Sequence, residues 1–349
     1  GLDYPPYFDS MHHYLMADDI LHFNEVPHAY YRLNQYPVRY YHFGFHFLAA
    51  GVQAVTHQEL HRVMLVLGQV LQTAAVLAVY YPGRIITKSR VGGWAAVLFA
   101  GFGWVMPAAA SSWGKYPAVF AAALVPLGMG LLAGWFDEMN RPGQRQGLKG
   151  IVLFTVGASL AHTRSIFLLG TWGVAKWGID RLGKFLRIKQ RDNLMKDVFL
   201  VLLLAAVLAF RFTQVPGSAW DQYTVGNGMI SLGALLLLLP FALRRSRNAG
   251  LTILFTVVWW MGMNVVPLPI VPTGLLLNQE MLVTMLYILL SLLGGLGAAG
   301  LFHRPARVSG VTNWTARLAV LVILIGIAAS RMVMLPVKPS LEVILAGED

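Results

Sequence analysis

The sequence predicts an all-α, polytopic membrane protein. Three observations carry that prediction. Hydrophobic residues make up 56% of the 349 positions and charged residues only 12%. Mean hydropathy is +0.59. A soluble domain of this length does not stay so apolar throughout, whereas apolar runs of roughly 20 residues are what a bilayer requires. The net charge of +11 is placed in short loops between hydrophobic runs, as cytoplasmic membrane loops require. That placement argues for a membrane and against nucleic acid as a partner. The absence of cysteine excludes disulfides and thiolate chemistry.

The chain divides into three parts. Residues 1–58 form a first extracytoplasmic loop with a short helix and an interfacial helix. Residues 59–336 form a transmembrane bundle of about ten helices. Residues 337–349 form an extracytoplasmic tail. The polar start at Gly1 is expected to follow a preceding membrane helix, and the tail to lead into further chain. No signal peptide is present in the stretch.

In the first part, Asp9-Ser-Met-His-His-Tyr-Leu-Met-Ala-Asp-Asp19 predicts a short helix. Asp9 can cap its N-terminus, and Leu15, Ile20 and Leu21 supply apolar anchors. Asp9 and His13 are four residues apart, so they share a helix face. A carboxylate beside an imidazole is the usual raw material of general-base chemistry; the plain alternative is a helix cap in a solvated loop. Residues 37–56 are apolar but broken by His42, Gly44 and His46. They predict an amphipathic helix lying in the membrane interface, with a full crossing as the alternative.

Ten spans follow, at 60–81, 92–110, 116–136, 148–163, 165–180, 196–212, 227–243, 250–270, 280–302 and 314–336. Spans 148–163 and 165–180 are short for a bilayer. Lys and Arg set the orientation. One set of alternate loops carries Arg84, Lys88 and Arg90, then Arg141, Arg145 and Lys149, then the run from Arg181 to Lys196. It ends with Arg244, Arg245 and Arg247 and with Arg304, Arg307 and Arg317. These loops all fall on one side when residues 37–56 do not cross. The opposite, outward side then carries Asp9, His12, His13, Asp18, Asp19, His42, His46, Lys115, His162, Arg164, Asn278 and Glu280, with Asp221 as a solvated loop residue.

Ionisable groups near membrane depth are costly and usually mark function. Asp9 with His12 or His13 suits a divalent cation, Mg²⁺ or Mn²⁺. Lys115 sits in the turn Ser112-Trp-Gly-Lys-Tyr-Pro117, placed to meet an anionic phosphate. Arg164 ends Leu160-Ala-His-Thr-Arg164 and can pair a phosphate bidentately, or equally a lipid headgroup. His42 and His46 lie one helical turn apart and can also be read as interfacial histidines. Asn278-Gln-Glu280 opens a span and can be read as a helix cap. No phosphate-binding glycine loop, zinc motif or Gly-x-Ser-x-Gly occurs, which argues against a nucleotide-driven enzyme.

Taken together, these motifs resemble the GT-C superfamily of integral membrane glycosyltransferases, in its poorly characterised prokaryotic branch. The resemblance rests on the acid of the first outward loop with His four residues on and on Tyr36-Pro37 followed by His42-Phe-Gly-Phe-His-Phe. It rests also on the Trp-Gly-Lys-Tyr-Pro turn, on Leu160-Ala-His-Thr-Arg164, and on Leu277-Asn-Gln-Glu280 before a late span. It covers most of the chain, though each motif is short. It implies a GT-C-like helix bundle in a prokaryotic cell membrane with its active site on the extracytoplasmic face. It implies transfer of a sugar from a polyprenyl-phosphate-linked donor to a lipid, glycan or protein acceptor, with inversion. Asp9, beside His13, takes the place of the family's first-loop acid. Asp18 or Asp19 stands in reserve, and Lys115, Arg164 and His162 would bind the donor phosphate. The turn around Lys115 lacks the acid some relatives carry, which weakens the expectation of a metal. The rival reading is a carrier or non-catalytic membrane component for lipid-linked sugars.

Overall fold

The computed structural model describes residues 8–26, 29–30, 36–37, 42–137, 144–185, 223, 227–262 and 279–302. These residues are helical apart from connecting turns and one two-residue antiparallel ladder, Ala29–Tyr30 against Tyr36–Pro37. In chain order the helices are α1 (Phe8–Phe23), α2 (Gly44–Thr56), α3 (Leu60–Ala78), α4 (Tyr80–Thr87), α5 (Arg90–Leu98) and α6 (Ala108–Ser112). Then come α7 (Tyr116–Asp137), α8 (Gln144–Ala161), α9 (Ser165–Phe185), α10 (Asn227–Arg245), α11 (Arg247–Gly262) and α12 (Gln279–Phe302).

Among the described residues, four stretches are long and apolar enough to cross a membrane: Leu60–Thr87, Tyr116–Asp137, Gly228–Arg245 and Glu280–Phe302. They coincide with four of the ten predicted spans. The first is longer than expected, because Val79 stays in the right-handed helical region (φ −65°, ψ −20°) and carries α3 into α4. Lys88, in the left-handed region at φ 52°, ends it.

Other spans differ from expectation. The run 92–110 is not one helix. It divides into α5, a π-helical turn Phe99–Gly103, and the short α6. The indole N–H of Trp104, just past the π turn, donates to the Ser291 hydroxyl at 3.0 Å, which fixes the chain where it leaves the helix. α9 is not short. Its 21 residues run past position 180 because Lys176 and Asp180 pair at 2.6 Å on successive turns. α8 starts at Gln144, ahead of the expected 148, and α11 describes the first part of the 250–270 span. Spans 196–212 and 314–336 and the tail 337–349 lie outside the described residues. α2 has 13 residues, about 20 Å at 1.5 Å per residue, too short to cross. It buries Phe45, His46, Ala49 and Ala50 on one face and exposes Phe47 and Val55 on another.

Two helices organise the packing. α12 is apolar all round and its membrane-length window is entirely buried, as expected for a central helix. It lies against α5, α10 and α11. Its glycines allow this. A Cβ on Gly295 would meet the Gly92 carbonyl of α5, and one on Gly297 would lie 2.8 Å from the Leu238 carbonyl oxygen of α10. Small residues admit such close backbone approach, which drives helix association in lipid. α7 is the second hub, against α3, α4, α8 and α9. α1 packs on α2, and Gly44, at the start of α2, sits against the Leu160 carbonyl at the end of α8. The starts of α2, α7 and α12, the α8–α9 turn and the start of α1 therefore meet at one end of the bundle.

Candidate functional site

That end holds a half-open cavity of about 330 Å³. Asp9, His12 and His13 from α1 line it, with His42 ahead of α2, Lys115 ahead of α7, His162 and Arg164 from the α8–α9 turn, and Glu280 from α12. Residues from five separate stretches, chosen from sequence because they fall on one membrane face, converge on one space. Pro117, Ala118, Met281 and Thr284 complete the wall. The sequence reading placed Pro117 in the turn it singled out but missed Ala118, Met281 and Thr284, since nothing distinguishes them from ordinary helix residues.

Lys115 is the centre of charge. Its ammonium donates to Asp9 Oδ2 at 2.6 Å and to Glu280 Oε2 at 3.0 Å. Burial alone would lower its pKa, but the hydrogen bonds from the two carboxylates outweigh that and raise it. The lysine is held there by the turn that precedes it. Gly114 has φ +71°, and a Cβ on it would lie 2.8 Å from the Ser10 backbone nitrogen of α1. Glycine at this position meets both demands, the left-handed backbone and the close approach. The turn thereby docks Lys115 beside Asp9, 106 residues away in sequence.

This geometry revises the role expected of Asp9. It lies in the first turn of α1 rather than ahead of it, and its carboxylate accepts from Lys115 instead of capping the helix. His13, on the same helix face, meets a different partner. Its Nδ1 lies 3.0 Å from Nε2 of His46, so one ring donates to the other, and burial holds His46 well below the ordinary imidazole range. His46 is fully buried beneath the cavity rather than lying at the interface.

His13, His42 and His162 are held neutral. Burial lowers His13 to about 3, helped by His42, His12 and Lys115. Burial, with Arg164 beside it, lowers His42 to about 4. His162 is pushed well below the ordinary range by burial first, then by His42 beside it and by the charges of Arg164 and Lys115. Its ring stacks near His42, centroids 4.0 Å apart and tilted by 32°. The cavity is thus built from two carboxylates, two cations, His12, and the neutral rings of His13, His42 and His162, which donate or accept hydrogen bonds without adding charge.

Among the described candidates, Asp18, Asp19 and His46 do not line it, although His46 bonds to His13, which does. Asp18 is buried further along α1 and pairs with His22 at 3.3 Å, and Asp19 is buried in the same turn. Nine residues of helix, about 13 Å, separate Asp18 from Asp9. Asn278 lies outside the described residues. The set Asp9, His12 and His13, expected to suit a divalent cation, shows no gathering into a metal centre. Among the described residues no group of three or more His, Asp or Glu side chains is placed to hold an ion, and the Asp9 carboxylate is turned to an ammonium.

Comparison with protein-family models, curated proteins and solved structures finds no match for this chain.

Proposed function

We propose that the protein is a membrane glycosyltransferase of the GT-C type. It moves a sugar from a polyprenyl-phosphate-linked donor to an acceptor hydroxyl at the extracytoplasmic face of a prokaryotic cell membrane. The observation that carries the reading is the Asp9–Lys115–Glu280 cluster facing Arg164 across one cavity at the end of an apolar bundle. A lipid-phosphate donor presents its sugar at that depth. The reaction needs a base for the acceptor and cations for the departing phosphate, and this cavity has both.

The reaction is written with Lys115 and Arg164 as its cations. Arg164 offers a planar fork of donors to the phosphate. As the phosphate arrives, the Lys115 ammonium shifts toward it and releases Asp9. The acceptor oxygen attacks the anomeric carbon and its proton passes to Asp9. The bond from that carbon to the phosphate oxygen breaks, and the lipid phosphate leaves with the electron pair. One displacement inverts the anomeric centre. Neutral His42 and His162 can donate to the phosphate without repelling the approach of either cation. A carrier for the same lipid is the rival, but a carrier calls for ionisable groups deep in the bundle. The central helix α12 has none beyond Glu280 at its start.

The test is turnover of radiolabelled polyprenyl-phosphate sugars by the purified protein. Asp9→Asn should lose roughly 100- to 10,000-fold in rate, the range of general-base catalysis, while still binding donor. Saturable donor binding with no turnover by either protein would replace the transferase with a carrier. Equal turnover by both would remove Asp9 from the chemistry.

A further inference from the structure

The opposite end of the bundle carries a second cavity, of about 510 Å³, where α4 turns into α5 beside the end of α7. Arg84, Lys88 and Arg90 line it, and Asp137 is the carboxylate among its lining residues. That carboxylate is shared between two lysines. Its Oδ1 accepts from Lys176 at 3.0 Å, and its Oδ2 lies 3.8 Å from Lys88. Among the described residues neither Arg84 nor Arg90 has a carboxylate within ion-pairing distance. Two exposed guanidinium groups and an exposed ammonium therefore face one hollow in which, among the described residues, Asp137 is the shared counter-charge. Such a hollow has the chemistry of a phosphate site.

The surface next to it decides which phosphate. α5 leaves the cavity with Val91, Trp94 and Leu98 exposed, at 46%, 56% and 38%. The spacings of three and four residues put these side chains in one stripe down the helix. A soluble phosphate has no use for an apolar stripe that begins at its binding site; an acyl chain does. The depth also fits. α7 runs 22 residues from the Lys115 end to Asp137, about 33 Å, so the cavity lies one hydrocarbon thickness from the candidate active site.

We propose that this cavity binds the phosphate headgroup of an anionic phospholipid from the leaflet opposite the candidate active site. Arg84 and Arg90 hold the phosphate, Lys88 adds charge, and an acyl chain lies along Val91, Trp94 and Leu98. The inference is independent of the proposed transferase activity.

The test is retention of phosphatidylglycerol against phosphatidylcholine by the detergent-purified protein, read by native mass spectrometry. Wild type should keep phosphatidylglycerol in preference. The exposed double substitution Arg84→Gln, Arg90→Gln should weaken that retention roughly thirtyfold, from the contribution of two basic groups at an anionic surface. The charge-conserving pair Arg84→Lys, Arg90→Lys should keep the preference for phosphatidylglycerol. Thermal unfolding in phosphatidylcholine should be the same for all three proteins, which separates lost binding from lost folding. Phosphatidylglycerol should raise the midpoint of wild type and not of the Gln pair. Equal retention of the two lipids by wild type, or unchanged retention by the Gln pair, would overturn the proposal. Displacement of the lipid by millimolar inorganic phosphate would overturn it too, because the site would then belong to a soluble anion.

Discussion

The residues around the cavity show how much chemistry a single sequence exposes and where it stops. Asp9, His12, His13, His42, Lys115, His162, Arg164 and Glu280 were legible as a set because charge asymmetry sorts loops by side, and these all fall on one side. Their pairings were not. Local spacing joins Asp9 to His13, but the ion pair that forms is with Lys115, and His13 turns to His46. Neither contact leaves a trace in local sequence. The neutral histidines have a consequence for stability. His13 ionises near 6.5 when unfolded and at about 3 when folded, so between those values the unfolded chain binds more protons. Stability is then full above pH 6.5 and falls as pH drops toward 3. At pH 5 the loss from His13 alone is about 2 kcal/mol, and His42, lowered to about 4, adds to it. The unfolding midpoint in detergent should fall between pH 7 and pH 5, and His13→Gln should flatten part of that fall. A midpoint that does not move over this range would mean the rings are solvated in the folded protein.

At the scale of elements, hydropathy located helices long and apolar enough to cross a membrane and missed how others break. Four of the predicted spans coincide with long apolar helices, and the short polar-interrupted stretch 37–56 contains a helix too short to cross. The division of 92–110 was not legible. Its residues stay apolar through the π turn, and the anchor that ends the helix, Ser291, is 187 residues distant. The glycines of α12 were visible in the sequence, but their purpose requires the neighbours to be known. Gly295 faces the Gly92 carbonyl and lies where a Cβ would be 2.8 Å from the Ala96 side chain. Backbone on one side and a short side chain on the other leave little room to yield. Gly295→Ala should cost about 1–3 kcal/mol through overpacking, read as a lower unfolding midpoint in detergent. Gly233, on α10, meets nothing within 4 Å of its Cβ position. Gly233→Ala should be neutral or slightly stabilising, since alanine favours the helix. Equal effects at both positions would mean that α5 and α12 do not approach as closely as the structure places them.

For the whole molecule, the two ends of the bundle are chemically opposite, and this follows from the same charge rule that sorted the loops. One end gathers Asp9, Glu280, Lys115, Arg164 and neutral imidazoles; the other gathers Arg84, Lys88 and Arg90 about Asp137. α7 joins them, with Lys115 just before its start and Asp137 at its finish. Applied to these two ends, the positive-inside rule predicts the second end in the cytoplasm and the proposed active site outside. The proposed chemistry depends on this, because a sugar donor presented outside cannot be used by a site that faces inward. The chain offers a clean measurement, since it contains no cysteine and single introduced thiols report alone. Met11, 55% exposed on α1, marks the first end, and Lys88, whose side chain is 75% exposed, marks the second. Met11→Cys should react with a membrane-impermeant maleimide on intact cells whose outer layers have been opened. Lys88→Cys should react only after the inner membrane is permeabilised. The reverse pattern would place the Asp9 cavity in the cytoplasm, where its donor would have to be presented from the inner leaflet. Labelling of both thiols from outside would mean that α7 does not cross, and would break the link between charge asymmetry and fold on which the orientation rests.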